Sequence, residues 1–193
     1  MFGHLAVTQA FLPLIRAATG RIVNVGSVGG RITMPFGGTL SAPRRALVAV
    51  NDALRMELYP WGIHVALIEG GSISTGAVDK LEAAAEATME GLPVAGRARY
   101  ADSYRTAVAY ALTRTRAGSP PELVADAIFR ALTDPTPKTR YLVGADARVL
   151  LALSKVLLDR LRFRVFGLQG KFDARRTEDG GKTQPVHHAP KGR

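Results

Sequence analysis

The sequence predicts an α/β fold built on a parallel sheet, and three observations lead to it. Stretches with apolar residues at helical spacing alternate with short runs rich in β-branched residues. The run from Ile63 to Ile68 is almost uninterrupted in its apolar character, as a strand covered on both faces requires. Glycine-rich segments follow the strand-like runs at 22–25 and 63–68, where α/β sheets carry their ligand loops.

The first helix is expected over about 3–18, with Leu5, Phe11, Leu12 and Ile15 at helical spacing and Gly20 as its stop. Ile22 to Val25 forms a short strand, and the loop 26–39 holds Gly26, Gly29, Gly30, Gly37 and Gly38. A second helix over about 41–59 sets Ala46, Leu47, Val50, Leu54 and Leu58 on one face. Tyr59 falls in its exit turn, several turns from Leu40, and Gly62 leads into the strand 63–68. Beyond residue 75 helices are predicted from Leu81 to about Met89 and from Asp102 to Arg114. Ser119, Pro120 and Glu122 have the spacing of a capping serine, a first-turn proline and a box glutamate, opening a helix that runs to about Leu132. Thr139 to Gly144 reads as the last strand and Ala145 to Phe166 as the last helix. One domain is therefore expected over 1–166. The polar, basic segment 167–193 is expected to form a tail, with 171–193 disordered for want of apolar residues.

Composition excludes several classes of function. With no cysteine, disulfides, thiolate catalysis and cysteine-based metal sites are ruled out. The four histidines, at 4, 64, 187 and 188, have no carboxylates at ligand spacing, so no metal is expected. No eighteen-residue apolar run occurs and no charged segment precedes the first apolar stretch, which makes the cytoplasm the expected compartment. The net charge of +10 is uneven, since residues 140–193 carry twelve Lys and Arg against five Asp and Glu. Within 149–166 large apolar residues interleave with Arg160, Arg162 and Arg164. That pattern fits either a basic helix at an anionic membrane surface or a packed helix with a wet basic face. Nucleic acid is not an expected partner, because the tail is basic but carries no recognition motif.

The stretch from Arg21 to Ser27, followed by Leu40 to Arg44, resembles the catalytic segment of the short-chain dehydrogenase/reductases, N-[IV]-S-S-x-x-G and then Y-x-A-S-K. Counted through that pattern, Ser27 takes the position of the catalytic serine, Leu40 that of the tyrosine and Arg44 that of the lysine. In the family the tyrosine transfers the proton, its pKa lowered by the lysine, while the serine hydroxyl bonds the substrate oxygen. Leucine has no ionisable proton, and arginine stays protonated and forms a planar fork unlike an ammonium. Residues 1–15 resemble the helix N-[VL]-[FW]-G-x-x-x-x-T-Q-x-x-L-P, with Met1 one place after the family's asparagine. The resemblance thus implies a Rossmann-like, doubly wound parallel sheet truncated at its amino terminus, without the glycine turn that cradles pyrophosphate. Glu69 to Thr75 is similar to the family's P-G-x-x-x-T, so Gly71, Ile73 and Thr75 are the expected contacts to the nicotinamide end of a cofactor.

What the resemblance implies is an NAD- or NADP-dependent oxidoreductase interconverting an alcohol and a ketone on a lipophilic substrate, with weak or no activity in this chain. The helical insert 76–117 occupies the family's substrate-loop position. A non-catalytic dimerisation or binding module, peripheral to a membrane through 149–166, is the alternative. Homo-oligomerisation is expected through the helices 3–18 and 41–59, with Leu54 in the dimer-facing stripe. Plainer readings stand beside these: Ser27 as a turn residue, Thr75 as a helix cap, Arg44 and Arg45 as a solvated pair.

Overall fold

A computed structural model describes residues 2–156. Helix α1 (Phe2–Ala17) leads into strand β1 (Arg21–Ser27), and α2 (Gly38–Leu58) crosses over to β2 (His64–Gly70). Helices α3 (Ala77–Gly91), α4 (Val94–Arg116) and α5 (Glu122–Thr133) follow, then β3 (Arg140–Val143) and α6 (Ala145–Val156). The strands form one parallel sheet in the order β1-β2-β3. Ser27 lies opposite Gly70, and Gly70 opposite Val143, so the carboxyl ends of all three strands finish level.

The period-2 alternation of β2 sorts its side chains to two layers. Ala66 and Ile68 pack with Ala127 and Ala131 of α5 and with Tyr141 and Val143 of β3. Val65 packs on the other side with Ile22, Leu58 and Ile63, covered by Leu12 and Ile15 of α1 and Leu54 of α2. Small residues at 127 and 131, one turn apart, let α5 lie close to the sheet. Val65 to Ile68 have no exposed surface, and fully burying a branched aliphatic contributes about 1.5–3 kcal/mol each. The sheet is thus helix-covered on both faces, as the apolar run 63–68 predicts.

Several expectations need correction. Leu54 does not face outward to a second chain; with Leu47, Asn51 and Leu58 it lies along the sheet-facing stripe of α2. Phe11 belongs to the exposed side of α1 with Phe2, Val7 and Leu14, leaving Leu12 and Ile15 to hold the helix to the core. Ser119 caps no helix. Its backbone joins the segment 72–74 instead, and α5 starts three residues later with Pro121 in the capping place. Pro120 and Pro121 still begin the turn, accepting from Leu123 and Val124. β1 runs two residues beyond Val25, and α3 and α4 outrun the ranges 81–89 and 102–114, because alanine-rich flanks propagate a helix through weakly amphipathic sequence. The second half of the predicted last helix and the segment 167–193 lie outside the described residues.

Among the described residues β1 pairs only with β2, so its outer edge is open. A groove of about 690 Å³ runs between that edge and α1, lined by Val7, Thr8, Phe11, Ile15, Val23 and Asn24 among others. None of the lining residues named there belongs to the loops discussed next.

Candidate active site

Ser27 closes β1 in extended conformation, with φ −154° and ψ 152°. Its Oγ accepts the Gly29 N–H at 3.1 Å and so begins a 3-10 turn over 28–30. An accepting hydroxyl oxygen keeps its own proton free to donate. Helix α2 packs directly on this turn: a Cβ at Gly30 would stand 2.9 Å from the carbonyl carbon and oxygen of Arg44. Backbone cannot yield as a side chain can, so glycine at 30 is what allows the helix to approach. The Arg44 side chain folds back over Gly29, with Nη1 2.9 Å from the point a Gly29 Cβ would occupy and Ser27 Oγ 3.5 Å from that same point. Ser27 and Arg44 are therefore together at the sheet's carboxyl end. Leu40, one turn earlier on α2, is 56% exposed and brings no ionisable group. Tyr59 gives no substitute; it is exposed, and nineteen residues of helix separate it from Leu40, about 28 Å along the axis.

The second loop leaves β2 beside Ser27. Gly71 N–H donates to Val143, Ser72 N–H to an Asp146 carboxylate oxygen and Ser74 N–H to Ser119, each at 2.9 Å. The Asp146 carboxylate sits where a Gly71 side chain would have to go. These bonds leave the N–H groups of Ile73 and Thr75 without a partner among the described residues. The Thr75 hydroxyl accepts the Ala77 N–H at 3.4 Å, a long bond at the start of α3, so the plainer reading of Thr75 as a cap is also present in the geometry.

Burial pushes the Asp146 carboxyl up, but the Ser72 backbone and hydroxyl, the Ala147 N–H and the Arg114 guanidinium outweigh it and hold the pKa below the ordinary carboxylate value. A depressed folded-state pKa stabilises the fold above the unfolded value of about 3.9 and is lost as pH falls through the lower folded value. Acid unfolding of Asp146→Asn, followed by circular dichroism, should accordingly show a shallower loss of stability below pH 4 than the parent. Identical acid profiles would remove Asp146 as the fastening of this loop.

Sequence reasoning missed a charged layer beneath the two loops. Glu69, with no exposed surface, bonds Arg31 through Oε1 at 2.6 Å and Arg140 through Oε2 at 3.3 Å. Arg140 in turn grips both oxygens of Asp52 at 2.6 Å. Nearby, Asn24 donates to Asn51 at 3.0 Å, tying β1 to α2, while the buried Asn51 Nδ2 has no partner among the described residues. One signal was available: a glutamate ending an apolar strand must have a cation when the strand is central. Nothing in linear spacing says which arginine supplies it.

A family model described as short chain dehydrogenase matches residues 1–86. Dehydrogenase/reductase SDR family member 9 of Bos taurus is 36% identical over 152 residues, covering 77% of this chain and 47% of that protein. Retinol dehydrogenase 16 of Mus musculus is 33% identical over 171 residues, covering 84% and 54%. The chain belongs to the short-chain dehydrogenase/reductase family. A solved short-chain dehydrogenase from Burkholderia cenocepacia, in complex with NADP, has the same fold, with a TM-score of 0.60 at 21% identity over 88% of this chain and 56% of that one. The chain spans about half the length of the short-chain dehydrogenase/reductase relatives it matches. Among the described residues the turn 28–30 is followed by the segment 31–37 and then by the start of α2 at Gly38. No group of metal ligands and no helix long and apolar enough to cross a membrane occurs among the described residues.

Proposed function

We propose that this chain carries the substrate-facing part of an NAD(P)-dependent oxidoreductase site, with weak or no turnover of its own. The observation that carries the reading is the convergence of Ser27 with Arg44 at the carboxyl end of the sheet, beside the loop 70–75. In this reading the Ser27 hydroxyl donates to the oxygen of a ketone or alcohol. Ile73 and Thr75 offer N–H groups to an amide oxygen of the cofactor, and Gly71 lets the loop lie close. A nicotinamide, when bound, supplies or accepts the hydride. Leu40 leaves no group to move the proton, so Arg44 has no acid beside it to act on, and its planar fork differs from the ammonium of a lysine. Names of relatives such as retinol dehydrogenase 16 favour a lipophilic substrate, and the helical pair α3–α4, with a groove of about 400 Å³ containing Met89, Val108 and Leu112, offers it apolar contact.

Oxidation of NADH or NADPH with long-chain ketones tests the reading. Turnover at background is the expected result, and a kcat in the ordinary enzymatic range of about 1–10³ s⁻¹ would overturn it. Titration of NADH fluorescence should give a dissociation constant no tighter than about 1 mM, equivalent to about 4 kcal/mol.

Self-association is the accompanying proposal. The exposed Phe2, Val7, Phe11 and Leu14 make α1, rather than the half-buried Leu54, the surface to test. Leu14→Glu should shift the size distribution toward monomer in chromatography with light scattering. A sharp monomer for the unaltered chain at tens of micromolar would remove the proposal.

A further inference from the structure

We infer that Ser27 and Arg44 form a binding site for the oxyanion head group, carboxylate or phosphate monoester, of a ligand with an apolar tail. This asks nothing of a nicotinamide cofactor and goes beyond the redox reading. The first observation is the convergence itself. Nη1 of Arg44 and Oγ of Ser27 stand 2.9 and 3.5 Å from a single point over Gly29. One carboxylate or phosphate brings two or more oxygens, so that each of these donors can give one a charge-assisted bond of about 2.7–2.9 Å. The second is that both groups have capacity to spare. The Ser27 oxygen accepts from Gly29, which leaves its proton to donate outward. Arg44, like its neighbour Arg45, has no ion pair among the described residues, so its guanidinium is uncommitted.

The third observation concerns position. Arg44 lies closer over the turn than a side chain at 29 would allow, since a methyl group there would meet Nη1 at 2.9 Å and displace it. The cation is thus seated beside the serine by the bareness of the turn, and an alanine would push it off without removing its charge. Leu40, 56% exposed one turn away on the same helix, adds an apolar surface beside the head-group site. A tyrosine and lysine in these places would offer a hydroxyl and an ammonium. Leucine and arginine offer a hydrophobic flank and a planar fork suited to two oxygens.

Calorimetric titration of the whole protein at pH 7 with octanoate, octyl phosphate and octanol tests the inference. Octanoate or octyl phosphate should bind, the tighter of the two identifying the head group, and octanol should bind at least about tenfold more weakly, the loss of a hydrogen bond to a charged group. Arg44→Gln and Gly29→Ala should each weaken the anionic ligand by about tenfold or more. Arg45→Gln, which removes the neighbouring exposed charge, should change it by no more than about twofold, as a screened surface charge does. Circular dichroism melts establish that each variant is folded. An equal loss in Arg45→Gln would mean general attraction to a basic protein and overturns the site. So would octanol matching octanoate, full binding by Gly29→Ala, or no heat with either anion at millimolar concentration. Absence of hydride transfer leaves the inference standing, because no measurement here uses a cofactor.

Discussion

Replacing Glu69 by alanine should lower the unfolding free energy by about 3–5 kcal/mol, the largest effect expected of any single charged residue here. Glu69 is wholly buried in the central strand, and its carboxylate is shared by Arg31 and Arg140. Removing it leaves two guanidinium groups, about a quarter exposed, turned toward a site with no anion. Arg140 keeps Asp52, so the damage should fall chiefly on Arg31, which sits just after the Ser27 turn. Urea denaturation reads the loss. Glu69→Gln, which retains an acceptor of similar shape, should recover part of it, and Arg31→Met in the Glu69→Ala background should recover more by removing the stranded cation. A change below about 1 kcal/mol for Glu69→Ala would mean that both arginines simply re-enter water.

The second large effect concerns chemistry. With this chain joined to the amino-terminal half of a solved relative, Leu40→Tyr together with Arg44→Lys should raise ketone reduction by about 10²–10⁴-fold, the usual contribution of a positioned acid–base group. The scaffold for that exchange exists. Gly30 already lets α2 approach the turn, and position 44 already lies over Gly29 beside Ser27. Arg44→Lys alone should give little, because Leu40 leaves no proton donor for the new ammonium to act on. High turnover before either substitution would refute the role given to Leu40 and Arg44.

The sequence made the sheet legible because its signals are local. An apolar run at 63–68 and β-branched residues at 22–25 declare strands wherever they occur, and the glycines at 29 and 30 mark the turn. The place of Ser27 at the end of a strand was legible through motif spacing. Glu69, Arg31, Arg140 and Asp52 were not, since they come together from four segments and only the parallel register of β2 with β3 puts Arg140 beside Glu69. Ser119 misled for a related reason. Its capping pattern is sound locally, but two backbone bonds to the 72–74 loop hold it elsewhere, and those depend on tertiary packing. Leu54 misled because an amphipathic stripe says that a face is covered without saying by what.

The one-sided pairing of β1 also has a kinetic signature. In a parallel strand successive residues direct their amides to alternate neighbours, so along Arg21–Ser27 every second N–H points away from β2. Deuterium should enter those positions on the timescale of local fluctuation, while their immediate neighbours, and the whole of β2, wait for the molecule to open. An every-other-residue exchange pattern in the monomer, evening out as concentration rises, would report when something has come to lie along that edge.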